Sequence, residues 1–187
     1  MLFMRLKMKK IMCVAILGII LLLMGCPARS LFPLFSEQEL AFNPDLLGNW
    51  VDSDKEEYTF LKSSGGGYDV LVRSKDGSIL LLSAKLGQLG GSWFLDSSPG
   101  EKNNDYHLMP AHVITRIWLK GDTLKTASLE GDYLRDAIAA GKLNVPHVQD
   151  GNDILLTAST KELQQLVLQL ADVDAAFPDP SVLVRHK

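Results

Sequence analysis

Between Leu46 and Leu129 the chain is cut by turn signals at short, regular intervals: Ser63–Gly67, Asp76–Gly77, Gly90–Gly91, Ser97–Asp105 and Gly121–Asp122. The runs between them are short and alternate in polarity with a period of two, the signature of half-buried strands. Tyr68, Val70 and Val72 share one face, opposite Asp69 and Arg73. Val113, Ile117 and Leu119 share another, opposite His112, Arg116 and Lys120. Asp-Gly, Gly-Gly and Gly-Asp can supply the positive φ angles that two-residue hairpins demand. The pattern predicts seven strands, at 48–53, 57–62, 67–74, 78–86, 91–96, 111–120 and 122–129. Strands joined by tight turns pair with their neighbours antiparallel, which makes a meander.

After Leu129 the period changes. Asp132 can cap a short helix through Ala140, with Gly141 as its stop. Residues 154–158 read as one more strand. Ser159-Thr160-Lys161-Glu162 is a capping-box pattern. Behind it, Leu163, Leu166, Val167 and Leu170 form one stripe of an amphipathic helix over 160–171. A meander this long must deal with its two edges, and closing into a barrel removes them. Gly48-Asn49-Trp50 resembles the G-x-W start of lipocalins and other calycin-like barrels. That resemblance implies a tryptophan plugging one barrel end, and a strand meander followed by a helix and a last strand. The expected fold is mainly β: an antiparallel meander forming a calycin-like barrel or strongly curved sheet, with two short C-terminal helices. The competing arrangement is an open sheet packed by the two helices.

The first 25 residues belong to something else. Arg5, Lys7, Lys9 and Lys10 make a basic start, and Ile11–Met24 carries no charge. Fourteen residues span about 21 Å as a helix, short of a bilayer core of ~30 Å. A basic region, a short apolar region and a small residue describe a secretory signal peptide. Leu23, Met24, Gly25 and Cys26 resemble the lipobox of bacterial lipoproteins, although Met24 stands where a small or β-branched residue is usual. The resemblance implies cleavage between Gly25 and Cys26 and acylation of the Cys26 thiol and amino group, palmitate being a typical chain. Two or more acyl chains suffice for stable anchoring. Cys13 would leave with the leader, so the mature chain keeps one cysteine and no internal disulfide. Pro27, rather than aspartate, follows the cysteine, which implies sorting to the outer membrane, facing the periplasm, in a Gram-negative source.

The segments PDLLGNW, YHLMPAHVITRIWLKGDTL and ILLTASTKELQQLVLQLAD are similar to parts of a group of small bacterial lipoproteins. This resemblance implies a lipid anchor and a single domain, and supplies no activity. The expected organisation is a leader over 1–25, a proline-marked tether over 26–45, and one β-rich domain over 46–187. The 162 residues from Cys26 onward can bury a core without staples. Their 15 basic and 22 acidic residues leave a charge of −7. That balance argues against a nucleic-acid partner and against broad electrostatic contact with anionic lipid.

Chemistry-bearing patterns are sparse. His107 and His112 are five apart and fall on opposite faces of a strand, so no metal site is expected. No G-x-S-x-G elbow occurs, and Ser64-Gly65-Gly66-Gly67 lacks the lysine and helix of a phosphate loop. Adjacent Glu56 and Glu57 point to opposite faces. No cofactor is expected. The aromatic set Trp50, Tyr58, Phe60, Tyr68, Trp93, Phe94 and Trp118 could be core or could line a cup for an apolar ligand. The leading expectation is a non-enzymatic, lipid-anchored envelope lipoprotein that binds a partner or a small apolar ligand. The runner-up is a structural or assembly accessory of an outer-membrane complex without a pocket. A hydrolase is third, and converging Ser, His and acidic residues would be its mark.

Overall fold

The computed structural model describes residues 26–100 and 110–186. The expected leader over 1–25, Gly25 of the expected cleavage site, and His107 lie outside the described residues. All seven expected strands form: β2 (Gly48–Val51), β3 (Glu57–Lys62), β4 (Tyr68–Arg73), β5 (Ile79–Leu89), β6 (Ser92–Pro99), β7 (His112–Lys120) and β8 (Thr123–Ser128). Each pairs antiparallel with the next. The turns at Gly77 and Gly121 require glycine, because these residues have φ of 85° and 57°.

The meander closes through a strand near the other end of the chain. β11 (Ser181–Arg185) inserts between β8 and β2 and is antiparallel to both. Eight strands therefore form a closed antiparallel barrel of the calycin-like kind, with two helices outside it. The expected last strand near 154–158 is a different element. It is β10 (Asp153–Leu156), which lies outside the barrel. β10 pairs with β9 (His147–Asp150) and, in parallel, with β1 (Arg29–Ser30). β1 in turn pairs with His112 and Val113 of β7.

The register decides which side chains face inward. Trp50 lies opposite Tyr58 and Arg185, Phe60 opposite Val70, Leu86 opposite Leu95, and Leu124 opposite Leu183. These apolar residues pack together and fill the barrel. Outward positions on β2–β5 carry Asn49, Thr59, Asp69, Ser83 and Lys85 among others. Membrane-spanning barrels show the reverse alternation.

A second core lies outside the barrel wall. Phe94, Ile114 and Ala127 point outward from β6, β7 and β8 and are covered by α1 (Gly131–Ala139) and α2 (Thr160–Leu170). α2 buries Leu163, Leu166, Val167 and Leu170, the predicted stripe. At ~1.5–3 kcal/mol each, these four contribute roughly 6–12 kcal/mol against the chain entropy of ordering the helix. The predicted capping box is present, with Ser159 N and Oγ donating to Glu162 Oε2 at 2.8 and 2.6 Å. At the other end, Arg116 of β7 donates to the carbonyl of Ala171 and to Ser92 Oγ. A cation there complements the helix dipole. α1 starts one residue before its expected position and is capped by Glu130, whose carboxylate accepts from Asp132 N at 3.2 Å, rather than by Asp132.

The segment expected as a tether is part of the fold. Ala28 N donates to Leu129 O at 2.7 Å, and Ala41 N to Leu86 O at 2.8 Å. Leu34 and Phe35 are buried in the second core, and the Phe35 ring packs against Gly87, which has no side chain to oppose it. Three prolines suggested an extended linker. The apolar pair between them finds the outer face of β5 and β6 instead, and the burial outweighs the ordering of the segment.

Candidate functional site

The aromatic residues do not form a cup. Trp50, Phe60, Tyr68 and Phe94 are buried, the first three inside the barrel and Phe94 under the helices. Trp50 Nε1 donates to Leu46 O at 2.9 Å, and the Tyr68 hydroxyl donates to Asn43 O at 3.0 Å. Burial raises the Tyr68 pKa. Tyr58 is half-buried at one barrel end, with its hydroxyl donating toward Asp52 and Glu56 at 3.4 and 3.2 Å. Burial, and then those two carboxylates, push its pKa up, so it stays a neutral donor. Trp118 stands on the outer face of β7 beneath Arg116. Trp93 borders a hollow of about 410 Å³ at the barrel end with Leu86, Ile117 and Leu119. Arg185 also borders this hollow, but its donors are committed to Asp122, Leu47 O and Asp45 O.

The larger concavity lies on the outer wall. A groove of about 920 Å³ crosses β3 to β7, bounded by the Ser63–Gly66 turn at one side and His112 at the other. Strand by strand, its floor is a set of rows. Leu61 pairs with Asp69, Asp69 with Ser83, and Ser83 with Ser98. The next row on one side holds Lys85 opposite Asp96, and the next on the other holds Leu71 opposite Leu81. Beyond them Ile79 lies opposite Arg73. The groove therefore has a hydroxyl-bearing polar half and an aliphatic half. Leu61 and Ile79 are 49% and 58% exposed.

At the polar edge sits a fixed pair. Asp96 is buried, and its Oδ2 accepts from Leu34 N at 2.8 Å. Its Oδ1 lies 2.7 Å from His112 Nδ1. A carboxylate accepts, so Nδ1 is the donor in this contact. A buried carboxylate is costly without partners, and these two bonds satisfy it. The pair also ties β6 and β7 to the N-terminal segment. Ser98 and His112 both line the groove, but no hydrogen bond joins them, so the nucleophile–base contact of acyl transfer is not made in this structure.

Sequence reasoning placed His112 on a polar strand face and stopped there. It did not find Asp96, which sits where the expected β6 gives way to a turn signal. The period-two pattern does put Asp96 and Ser98 on one face. Only the strand pairing brings that face beside His112. Glu56 and Glu57 separate as expected, Glu56 toward Tyr58 and Glu57 toward Arg73. His147 Nδ1 meets Val145 O locally at 2.9 Å. Among the described residues no group of three or more His, Cys, Asp or Glu could hold a metal ion, and no helix is long and apolar enough to cross a membrane.

Fold and groove together define a calycin-like barrel with a filled interior and an open site on its outer wall. Comparison of the chain with known protein families, with curated proteins and with solved structures finds no match.

Proposed function

We propose that this chain is a lipid-anchored cell-envelope protein that acts by binding, without catalysis, through its outer wall. In this reading the leader over 1–25 is removed and Cys26 carries the acyl chains. The protein sits at the outer membrane of a Gram-negative envelope and faces the periplasm. The lipobox resemblance supports the anchor, and so does the position of Cys26, which is exposed while its carbonyl accepts from Gly131 N at 3.0 Å. The observation that carries the binding reading is the contrast between the packed barrel interior and the amphipathic groove outside it. Trp50, Tyr68, Leu86 and Leu124 occupy the barrel interior, each at most 1% exposed, which leaves the hollow at the barrel end as the inner space beside them. The filled interior also favours the second reading, an assembly accessory of an outer-membrane complex, whose partner would meet the same outer wall.

The anchor is tested in cells fed a labelled fatty acid. The wild-type protein takes up label and fractionates with membranes, and Cys26→Ser loses both. Equal labelling of the two proteins sinks the anchor.

A further inference from the structure

We propose that Cys26 is seated on the fold rather than strung from it, so that the surface around it lies on the headgroup layer of the membrane that holds its acyl chains. That surface is the first turn of α1 together with the tip of the β9–β10 hairpin. It rests on the lipid-anchor reading above, and adds to it a membrane-facing side and a fixed orientation. A lipid on a flexible linker leaves a domain free to tumble, because Gly- and Ser-rich chains behave as random coils. A lipid on a residue held by the fold sets which side meets the bilayer. Cys26 is held. Its carbonyl accepts from Gly131 N at 3.0 Å, Pro27 forms a β-bridge with Glu130, and Ala28 N donates to Leu129 O at 2.7 Å. Gly131 makes this seat possible, since a Cβ there would stand 2.7 Å from Cys26 O. Arg29 and Ser30 follow at once as β1, paired with β10 on one side and β7 on the other. The stretch from Cys26 to Ser30 therefore has no free length in which to act as a linker.

The side-chain end of the residue is open nonetheless. Cys26 is exposed and borders a hollow of about 300 Å³ with Pro27, Arg29, Asn152 and Ile154. That space receives a thioether-linked glyceryl group without displacing the backbone from its seat. The occupant of the surrounding surface follows from geometry. An acyl-bearing sulfur in the bilayer, with its own backbone bonded to α1, brings the residues beside it to the headgroups. Each arginine there is already held by a carboxylate, Arg29 by Asp153 at 3.1 Å and Arg135 by Asp132 at 2.6 Å. The contact is thus polar and short in range, and does not depend on attraction to anionic lipid.

The test uses the protein purified with its lipid from cells and reconstituted into phosphatidylcholine vesicles. The vesicles include a lipid with a nitroxide on its headgroup, which quenches a fluorophore only at contact range. Mass spectrometry reads the acylation of Cys26. A fluorophore on Asn152→Cys reports on the proposed surface, and one on Ser64→Cys on the β3–β4 hairpin, which stands across the barrel from β7 and β8. Both positions are exposed. The label at 152 should lose most of its emission and the label at 64 little. A linker of about ten Gly and Ser residues between Cys26 and Pro27, roughly 18 Å in mean span, should abolish that contrast. The fold tolerates the insertion, because the residue then preceding Pro27 still offers Gly131 a carbonyl. Equal quenching at the two positions without the insertion, or a contrast that the insertion leaves unchanged, overturns the seat while the anchor stands. Recovery of protein without acyl mass overturns both.

Discussion

The guanidinium of Arg185 lies over the indole of Trp50, 4.2 Å from the ring centroid, where the chain enters the barrel. The two residues are opposite each other in register across β11 and β2. From this position Arg185 also donates to Leu47 O at 2.7 Å, Asp45 O at 2.6 Å and Asp122 Oδ1 at 3.1 Å. It thus stitches the turn after β7, the 3₁₀ turn over Pro44–Leu46 and the closing strand to one tryptophan.

Arg185→Ala removes the ring contact and leaves two carbonyls without their charged donor. The expected cost is about 2–4 kcal/mol. For a chain of this size that lowers Tm by roughly 5–15 °C, read by thermal denaturation. Arg185→Lys should recover little, because an ammonium cannot stack and reach both carbonyls at once. A Tm unchanged in Arg185→Ala would mean that the Trp50 end holds without it.

A chain ending at Pro180 lacks β11 and exposes the edges of β2 and β8 along with Trp50 and Leu124. Open edges and an uncovered core favour association over folding. The expected result is loss of the near-ultraviolet tryptophan signal and recovery in the aggregated fraction. A soluble product with the wild-type near-ultraviolet spectrum would contradict the closed barrel.

Gly87→Ala tests the seat of Phe35. A Cβ at Gly87 would stand 2.4 Å from Phe35 Cε1 and 2.5 Å from Cζ, so the ring must move. The expected loss is about 1–3 kcal/mol for Gly87→Ala and about 3–5 kcal/mol for Phe35→Ala. The double variant should lose less than the sum, because the clash disappears with the ring. Additive losses in denaturant titrations would show that the N-terminal segment does not bear on β5.

Glu162 gives the pH dependence of α2. The Ser159 hydroxyl, and then the Ser159 backbone N–H, hold its carboxyl below the ordinary 4.5. A lowered folded value stabilises above the unfolded one, and that contribution fades as pH falls from 4.5 through the folded value. The wild type should therefore melt above Glu162→Gln at neutral pH, and the gap should close in acid. A gap that widened in acid would show that the carboxylate is not the stabilising form.

Alternation and turn chemistry determined most of the local structure. Seven strands, both helices, the capping box and the burial of Trp50 follow from residues within a few positions of one another. Steric preferences, hydrogen-bond partners and polarity period act over that range, so a linear reading captures them. The tertiary structure decided what depends on distant partners. Ser181–Arg185 is too short and too close to Pro178 and Pro180 to be distinguished from a loop, and becomes a strand because two barrel edges await it. Leu34 and Phe35 sit in a proline-marked stretch and become core because Gly87 and Phe94 leave a space for them. Asp96 and His112 are sixteen residues apart and form a pair only because β6 and β7 fix their register and Leu34 supplies the remaining donor. Each case turns on burial shared between remote segments, and that free energy has no local sequence signature.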